Sequence, residues 1–377
     1  MILKDLGIYL EVDEKKQQAI NDLLFPKDYL PSQMKYHELN TCYKSIGEVP
    51  TKYCPKCHRE YLEEENICFD CLTALRHISD MISVREIKSQ PEFPYDGKNT
   101  YDDFESILNE DNLARINEFK FSIRQFNGII RNIKKTALEN LDDLIKANEL
   151  NLNYLSPLDK VLLFSKSFVS VEYKSYGQEL GYFEYDSITI DERQTDAFQM
   201  TTLIHELSHF LIKEILTQTL CKILNCDKNA LVEGIVSFIL SYTYFTQLID
   251  EYCAHSTEGR FTVYGYQDYS SFLSIVERMG DEMGKDEIEI TKSIGNTFSN
   301  SIKDILESFI DHDLRRDIKD EFLSTNFEKP NYEMLLMENC QQLTDEGFIK
   351  AIWLILSEGF SASMVNIDKL KETYVKP

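Results

Sequence analysis

Three residues in the stretch LIHELSHFLI, residues 203–212, could bind and use a metal ion. His205 and His209 are four residues apart, so on a helix they lie on one face, about 6 Å apart, and can share one ion. Glu206 stands beside the first histidine and can reach a water molecule next to that ion. Because a bound zinc ion lowers the pKa of such a water to about 7, Glu206 can act as a general base. The spacing therefore predicts a hydrolytic zinc site.

The surroundings of this motif indicate that its helix is buried. The neighbouring side chains are apolar: Leu203, Ile204, Leu207, Phe210 and Leu211. Two buried histidines and a buried glutamate need partners, and a metal ion supplies one. The strand-like segment SITID, residues 187–191, comes before the helix, as expected if a sheet edge lines a substrate cleft.

A catalytic zinc site needs a third protein ligand and one open position. The stretch HELSHFLIKEI contains Lys213 and no third histidine at the spacing of a His-x-x-Gly-x-x-His continuation. Two glutamates further along the chain, Glu233 and Glu251, are the remaining candidates. They lie five helical turns apart, about 27 Å along a straight helix, so only one of them can bind this ion.

The lengths of the two helices decide between these candidates. If the first helix runs straight to residue 224 and the second returns from residue 230, Glu251 comes near the level of His205. If the first helix ends near residue 217, Glu233 becomes the ligand instead. We expect Glu251 and keep Glu233 as the alternative.

Residues 185–260, about a fifth of the chain, resemble the zincin metallopeptidases, and a glutamate from the next helix resembles the gluzincin arrangement. This resemblance implies an α+β core with a small sheet, an active-site helix and a helix that supplies the third ligand. Glu233 in ALVEGIV matches one gluzincin pattern. Glu251 in IDEYCAH matches another, with His255 in place of an aspartate.

His255, four residues after Glu251, is expected on the same helical face, either as a partner of the ligand or as an oxyanion donor. Arg260, Tyr264 and Tyr266 could donate to a tetrahedral intermediate, although packing in a loop is the simpler expectation for each.

A second metal site is predicted near the N-terminus by Cys54, Cys57, Cys68 and Cys71. The cysteines form two Cys-x-x-Cys pairs, and four thiolates fill the tetrahedral shell of zinc, which indicates a structural site. The cluster resembles a zinc ribbon. Its spacer, HREYLEEENI, is acidic, so we expect the ribbon to dock a protein partner and not a phosphate backbone.

The composition sets limits on partners and location. A net charge of −24 disfavours nucleic acid as a partner, and 43% apolar residues are enough for a large core. The first residues show no signal-peptide pattern, so the cytoplasm is the expected location. The most apolar stretch, residues 230–249, is interrupted by Glu233 and Gln247, which indicates a buried helix and no membrane span.

The elements that must position these residues follow from apolar periodicity. Helices are predicted over residues 101–150, 195–224, 230–253 and parts of 281–377. The stretch STEGR is expected to end the third of these, with Gly259 in a turn. Strands are predicted within residues 161–173 and 182–192, and a linker at residues 90–100.

These elements predict a mostly helical α+β fold. The expected regions are an N-terminal region 1–90 with the ribbon at 51–75, a helical segment 91–159, a zincin-like core 160–280 and a C-terminal helical region 281–377.

The predicted function is a zinc metallopeptidase that acts on peptides or proteins and holds one catalytic and one structural zinc ion. The alternative is a non-catalytic zinc-binding scaffold whose ribbon docks a partner. Glu206 argues against this alternative, because a structural site has no use for a base. The large helical extensions would also suit a peptidase with a single protein target.

Overall fold

The computed structural model confirms a mostly helical α+β fold, with two small sheets among the described residues. The structure describes residues 51–56, 60–61, 64–68, 70–77, 83–89, 103–175, 177, 179–184, 187–263, 269–280, 282–324 and 340–374. The linker predicted at residues 90–100 lies outside this part of the chain.

A three-stranded antiparallel sheet carries the cysteine cluster. Its strands are β1 (Lys52–Tyr53), β2 (Glu60–Tyr61) and β3 (Arg76–His77), with β1 in the centre. The Tyr53 ring packs on Tyr154 at a centroid distance of 5.4 Å, and Arg76 forms an ion pair with Glu149. This small sheet therefore contacts the helical body through both apolar and charged side chains.

The helical prediction for residues 101–150 is confirmed, as three helices and not one. They are α1 (Asp103–Ile107), α2 (Glu110–Glu118) and α3 (Ile123–Ala147). Ser122 starts α3 with a capping box. Its hydroxyl accepts from the Gln125 N–H, and the Gln125 side chain accepts from the Ser122 N–H.

The strand predicted at residues 161–173 is wrong in its first half, which is the helix α4 (Pro157–Lys166). Ser156 caps this helix by accepting from the Asp159 N–H, and Pro157 occupies the first turn. The residues from Val161 to Phe164 are all buried, so their continuous apolar run carries no period that separates strand from helix.

The second sheet lies before the central helix and has the strand order β4-β6-β5. The strands are β4 (Ser170–Lys174), β5 (Gly181–Glu184) and β6 (Ser187–Asp191). β6 runs parallel to β4 and antiparallel to β5. β5 is therefore an edge strand, and the strand predicted at SITID is confirmed as β6.

The helix predicted over residues 195–224 is confirmed as α5 (Asp196–Leu224), and most of its residues are buried. Thr195 caps its start by accepting from the Phe198 N–H, and Asn225 ends it in the left-handed conformation with a φ of 54°.

The continuous helix predicted over residues 230–253 is wrong in two respects. The chain forms α6 (Ala230–Tyr242) and α7 (Tyr244–Phe261), bent by 97° at Thr243. Thr243 leaves the helical conformation, with φ −120° and ψ 151°, and its side chain accepts from the Thr246 N–H to start α7. α7 also continues beyond Cys253, so Gly259 lies inside a helix and not in a turn.

Five further helices complete the described chain: α8 (Ser270–Met279), α9 (Lys285–Leu306), α10 (His312–Ser324), α11 (Asp345–Val365) and α12 (Ile367–Tyr374). One hydrophobic cluster extends from Val84 to Leu370 and includes residues of the sheet, of α5 and of the C-terminal helices. The region boundaries at 90, 159 and 280 stay predictions.

By length and composition, α11 is long and apolar enough to cross a membrane, and α6 with α7 would pass the same test as one bent segment. The side chains of Phe348, Ile352 and Phe360 on α11 are buried in the hydrophobic cluster.

Candidate metal centre

The packing of α5 against α7 brings His205, His209 and Glu251 together. The two histidine Nε2 atoms lie 3.3 Å apart, and His205 Nε2 lies 3.9 Å from Glu251 Oε2. One potential ligand atom from each of the three residues lies within 4.8 Å of the others. In a tetrahedral zinc site with Zn–N bonds of about 2.05 Å, two nitrogens stand about 3.3 Å apart. The distance between the two imidazoles therefore fits a shared zinc ion.

Glu233, the alternative ligand, is placed differently. It lies in the first turn of α6, where its Oε1 is 2.9 Å from Lys228 Nζ. Lys228 also contacts Glu214 Oε2 at 2.7 Å. Glu233 belongs to this ion-pair group and not to the group of His205 and His209.

A carboxylate lies close to Nδ1 of each of the two histidines. Glu258 Oε2 lies 3.2 Å from His205 Nδ1, and Asp250 Oδ1 lies 3.0 Å from His209 Nδ1. Since an ionised carboxylate only accepts hydrogen bonds, His205 Nδ1 carries a proton that it donates to Glu258. The contact between Asp250 Oδ1 and His209 Nδ1 is a close ion-pair contact without hydrogen-bond geometry. The two Nε2 atoms lie 3.3 Å apart beside the carboxylate of Glu251, so two neutral rings would present both lone pairs at this point. This convergence of three electron-pair donors calls for a cation.

Neighbouring charges outweigh burial in setting the pKa values of His209 and Glu251. Burial acts to lower the pKa of His209, but Asp250 and Glu251 outweigh burial and raise it to about 10. Burial acts to raise the pKa of Glu251, but His209, His205 and His255 bring it down to about 2. A proton bound at His209 therefore supplies the positive charge when no metal does.

Glu206 lies next to this centre and is 7% exposed. Burial raises the pKa of its carboxyl group, against the opposing effect of His205 and His209. A raised pKa brings a carboxylate closer to the range in which it works as a general base near neutral pH.

The edge strand β5 passes directly over Glu206, and Gly181 makes this approach possible. A Cβ atom added at Gly181 would lie 2.4 Å from Thr202 Cγ2, 3.0 Å from the carbonyl oxygen of Thr189 and 3.5 Å from Glu206 Cγ. The sequence alone did not single out Gly181, although a glycine next to a predicted strand can mark a close backbone approach.

The outer edge of β5 carries backbone N–H and C=O groups that do not form hydrogen bonds with β6. The Asp191 N–H donates to the carbonyl of Leu180, so Leu180 and Asp191 form a hydrogen-bonded pair. Hydrogen-bonded pairs alternate along antiparallel strands, so Gly181 and Phe183 direct their N–H and C=O groups away from β6. No further strand pairs with this edge among the described residues.

His255 is buried inside the cluster, 5% exposed, with its ring 4.5 Å from the His205 ring and 5.1 Å from the Tyr269 ring. Its Nε2 lies 2.6 Å from Ser271 Oγ, and its Nδ1 lies 3.8 Å from Glu258 Oε2. Both ring nitrogens face protein groups. This placement favours the role of a partner of the ligand over that of an oxyanion donor.

The other residues predicted as possible donors to a reaction intermediate are not placed at the metal centre. The Arg260 guanidinium donates to Ser299 Oγ at 2.8 Å and to Asn296 Oδ1 at 2.9 Å, so it binds α9. Tyr264 and Tyr266 lie outside the described residues.

Two acidic residues beside the histidines, Asp250 and Glu258, were not predicted from the sequence. Glu258 lies seven residues after Glu251, on the same helical face. It was not predicted because the helix was expected to end at residue 253.

In the cysteine cluster, the sulfur atoms of Cys54, Cys68 and Cys71 lie within 4.8 Å of one another. The Tyr61 hydroxyl donates to Cys68 Sγ at 3.1 Å, and the Cys71 N–H contacts the same sulfur at 3.4 Å. Cys57 lies outside the described residues. Three of the four predicted ligands are thus brought together around one point.

Comparison of the chain with protein-family models, with curated proteins and with solved structures gave no significant match. Function therefore has to be argued from the geometry of the side chains themselves.

Proposed function

We propose that the protein is a zinc-dependent metallopeptidase in which His205, His209 and Glu251 hold the metal. The observation that supports this most is the convergence of the two Nε2 atoms, 3.3 Å apart, with the carboxylate of Glu251 beside them. Two imidazoles and a carboxylate are a usual donor set for catalytic zinc and leave the fourth position open. When bound, zinc would polarise the substrate carbonyl and lower the pKa of a water molecule.

In this proposal Glu206 is the general base. Its carboxylate holds the attacking water and accepts its proton, and the raised pKa suits that transfer. The acid formed in this way can then give the proton to the leaving amine. Glu258 keeps the His205 imidazole in the tautomer that a metal requires, and the negative charge of Asp250 lies 3.0 Å from His209 Nδ1.

The substrate we propose is an extended peptide. An extended chain can pair with the outward N–H and C=O groups of Gly181 and Phe183, adding a strand to the sheet at β5. Because Gly181 lies against Glu206, a peptide at this edge passes beside the general base.

A second, structural zinc ion is proposed at Cys54, Cys57, Cys68 and Cys71. Four thiolates leave no position for substrate, so this site would stabilise the small sheet of β1, β2 and β3. Docking of a protein partner on the ribbon and a cytoplasmic location belong to the same proposal.

The test measures zinc content and hydrolysis on the same preparations. Elemental analysis of the wild type should give two zinc ions per chain, falling to one in the His205→Ala/His209→Ala variant. Glu206→Gln should keep both ions but abolish cleavage of an unstructured peptide library, read by mass spectrometry. Glu192→Gln, an exposed residue near the same helix, is the matched control and should cleave normally.

Two results would reject the peptidase. Undiminished cleavage by Glu206→Gln would remove the general base from the mechanism. Two bound zinc ions with no cleavage by the wild type would favour the non-catalytic scaffold instead.

A further inference from the structure

Ser271, in the first turn of α8, joins Glu251 to His255. Its Oγ lies 2.6 Å from Glu251 Oε2 and 2.6 Å from His255 Nε2. Nothing in the sequence motif predicts this serine, because it lies 20 residues after Glu251 on a different helix.

The protons in this chain of three groups can be assigned from valence alone. A glutamate that binds a metal is ionised, and an ionised carboxylate can only accept hydrogen bonds. The single hydroxyl proton of Ser271 must therefore go to Glu251. The short contact between Ser271 and His255 is then a hydrogen bond in which His255 Nε2–H donates to Ser271 Oγ.

The other nitrogen of His255 supports this assignment. In the described structure, Nδ1 is buried and has no hydrogen-bond partner, and the nearest Glu258 oxygen is 3.8 Å away. Leaving a buried ring nitrogen unpaired costs stability. The ring is nevertheless held in this orientation, with Nε2 directed at Ser271 and its face between His205 and Tyr269.

The position of Ser271 is also fixed by apolar packing between α7 and α8. One apolar cluster joins α7 to α8, and its buried members are Leu248, Tyr252, Tyr269, Phe272, Ile275 and Met279. Ser271 thus reaches Glu251 from a helix whose placement depends on these side chains.

We propose that Ser271 and His255 are positioning residues that orient the Glu251 carboxylate for the metal. The hydrogen bond from Ser271 restricts rotation of the carboxylate and stabilises its negative charge, and the bond from His255 directs the serine proton. This inference rests on the metal centre proposed above. Loss of such a supporting hydrogen bond commonly weakens metal binding about 10- to 100-fold.

The test is a titration of the full-length, metal-depleted chain with Co²⁺, whose absorption separates nitrogen and oxygen ligation from thiolate ligation at the ribbon. Ser271→Ala should weaken Co²⁺ binding at the histidine site about 10- to 100-fold, and Ser271→Thr, which keeps a hydroxyl, should restore it. Ser274→Ala, an exposed serine on the same helix, is the matched control and should bind as the wild type does.

A double-mutant cycle separates positioning from general damage to the fold. If Ser271 acts through Glu251, Ser271→Ala should change Co²⁺ affinity less than about threefold in a Glu251→Gln background. His255→Gln, whose amide can still donate to Ser271, should bind Co²⁺ more tightly than His255→Leu. Thermal unfolding of each metal-free variant shows whether it is folded. If Ser271→Ala does not fold, the comparison of His255→Gln with His255→Leu still tests the positioning role.

The outcomes are distinct. Wild-type Co²⁺ affinity in Ser271→Ala, together with weakened binding in Glu251→Gln, would overturn the positioning role and leave the metal centre standing. An equal loss in both backgrounds would also overturn it. If neither Glu251→Gln nor His209→Ala changed Co²⁺ binding, the metal centre itself would be rejected.

Discussion

Replacing Gly181 by alanine should lower kcat/KM for peptide cleavage about 100-fold while leaving the metal in place. The added Cβ would lie 2.4 Å from Thr202 Cγ2 and 3.0 Å from the carbonyl oxygen of Thr189. Non-bonded carbon atoms normally approach to about 3.5–4.0 Å, so β5 has to move away from α5 by about 1 Å or more. A displacement of this size misaligns a substrate paired with β5 relative to Glu206, and this is the source of the loss.

The same clash should lower the free energy of unfolding by about 1–3 kcal/mol, the usual cost of overpacking. The assay combines steady-state cleavage, zinc content and chemical denaturation on one preparation. Thr202→Ser provides the control, since it removes the clashing Cγ2 but keeps the hydroxyl that donates to Gln194 Oε1 at 3.2 Å. Activity should partly return in the Gly181→Ala/Thr202→Ser double variant. Normal cleavage by Gly181→Ala, or no recovery in the double variant, would refute the proposed path of the substrate along β5.

Three other predictions concern the two candidate metal sites and the buried lysine Lys166. Glu258→Ala should weaken zinc binding at the histidine site about 10- to 100-fold, because His205 loses the acceptor that fixes its tautomer; unchanged affinity in a chelator competition would contradict this. Cys68→Ser should remove one zinc ion per chain but leave the ion at His205, as measured by elemental analysis; loss of both ions would mean that the two sites are not independent. Burial lowers the pKa of Lys166 from 10.5 to about 8, so between these pH values the unfolded chain binds more protons and stability should rise with pH. The gain is at most about 3 kcal/mol, because the Lys166 ammonium group also donates to the carbonyl oxygens of Arg85 and Ile87. It should be missing from the denaturation profile of Lys166→Met, and identical profiles would refute it.

Local spacing was enough to predict that the candidate metal ligands on α5 come together, because His205 and His209 are one helical turn apart whatever surrounds them. The strand before α5 and the range of α5 were predicted for the same reason, since each depends on a few adjacent residues. The four-cysteine cluster is also a local pattern.

What could not be predicted depends on how helices pack. The straight-helix estimate named Glu251, but the chain reaches that place by a different path, through the 97° bend at Thr243. A single residue that leaves the helical conformation produces this bend, and a periodic apolar pattern continues across it. Ser271 and Gly181 act through contacts with distant parts of the chain, so their roles appear only once α8 and β5 are in place.

The ligands proposed for the catalytic zinc come from two separate helices, α5 and α7, with α6 and the 97° bend between them. An ion held by both helices would act as a cross-link that closes the intervening segment into a loop, as a disulfide does. Because only the folded chain presents these ligands together, bound zinc adds stability in proportion to the logarithm of its free concentration. Zinc supply would then set the lifetime of the chain against proteolysis as well as its ability to act.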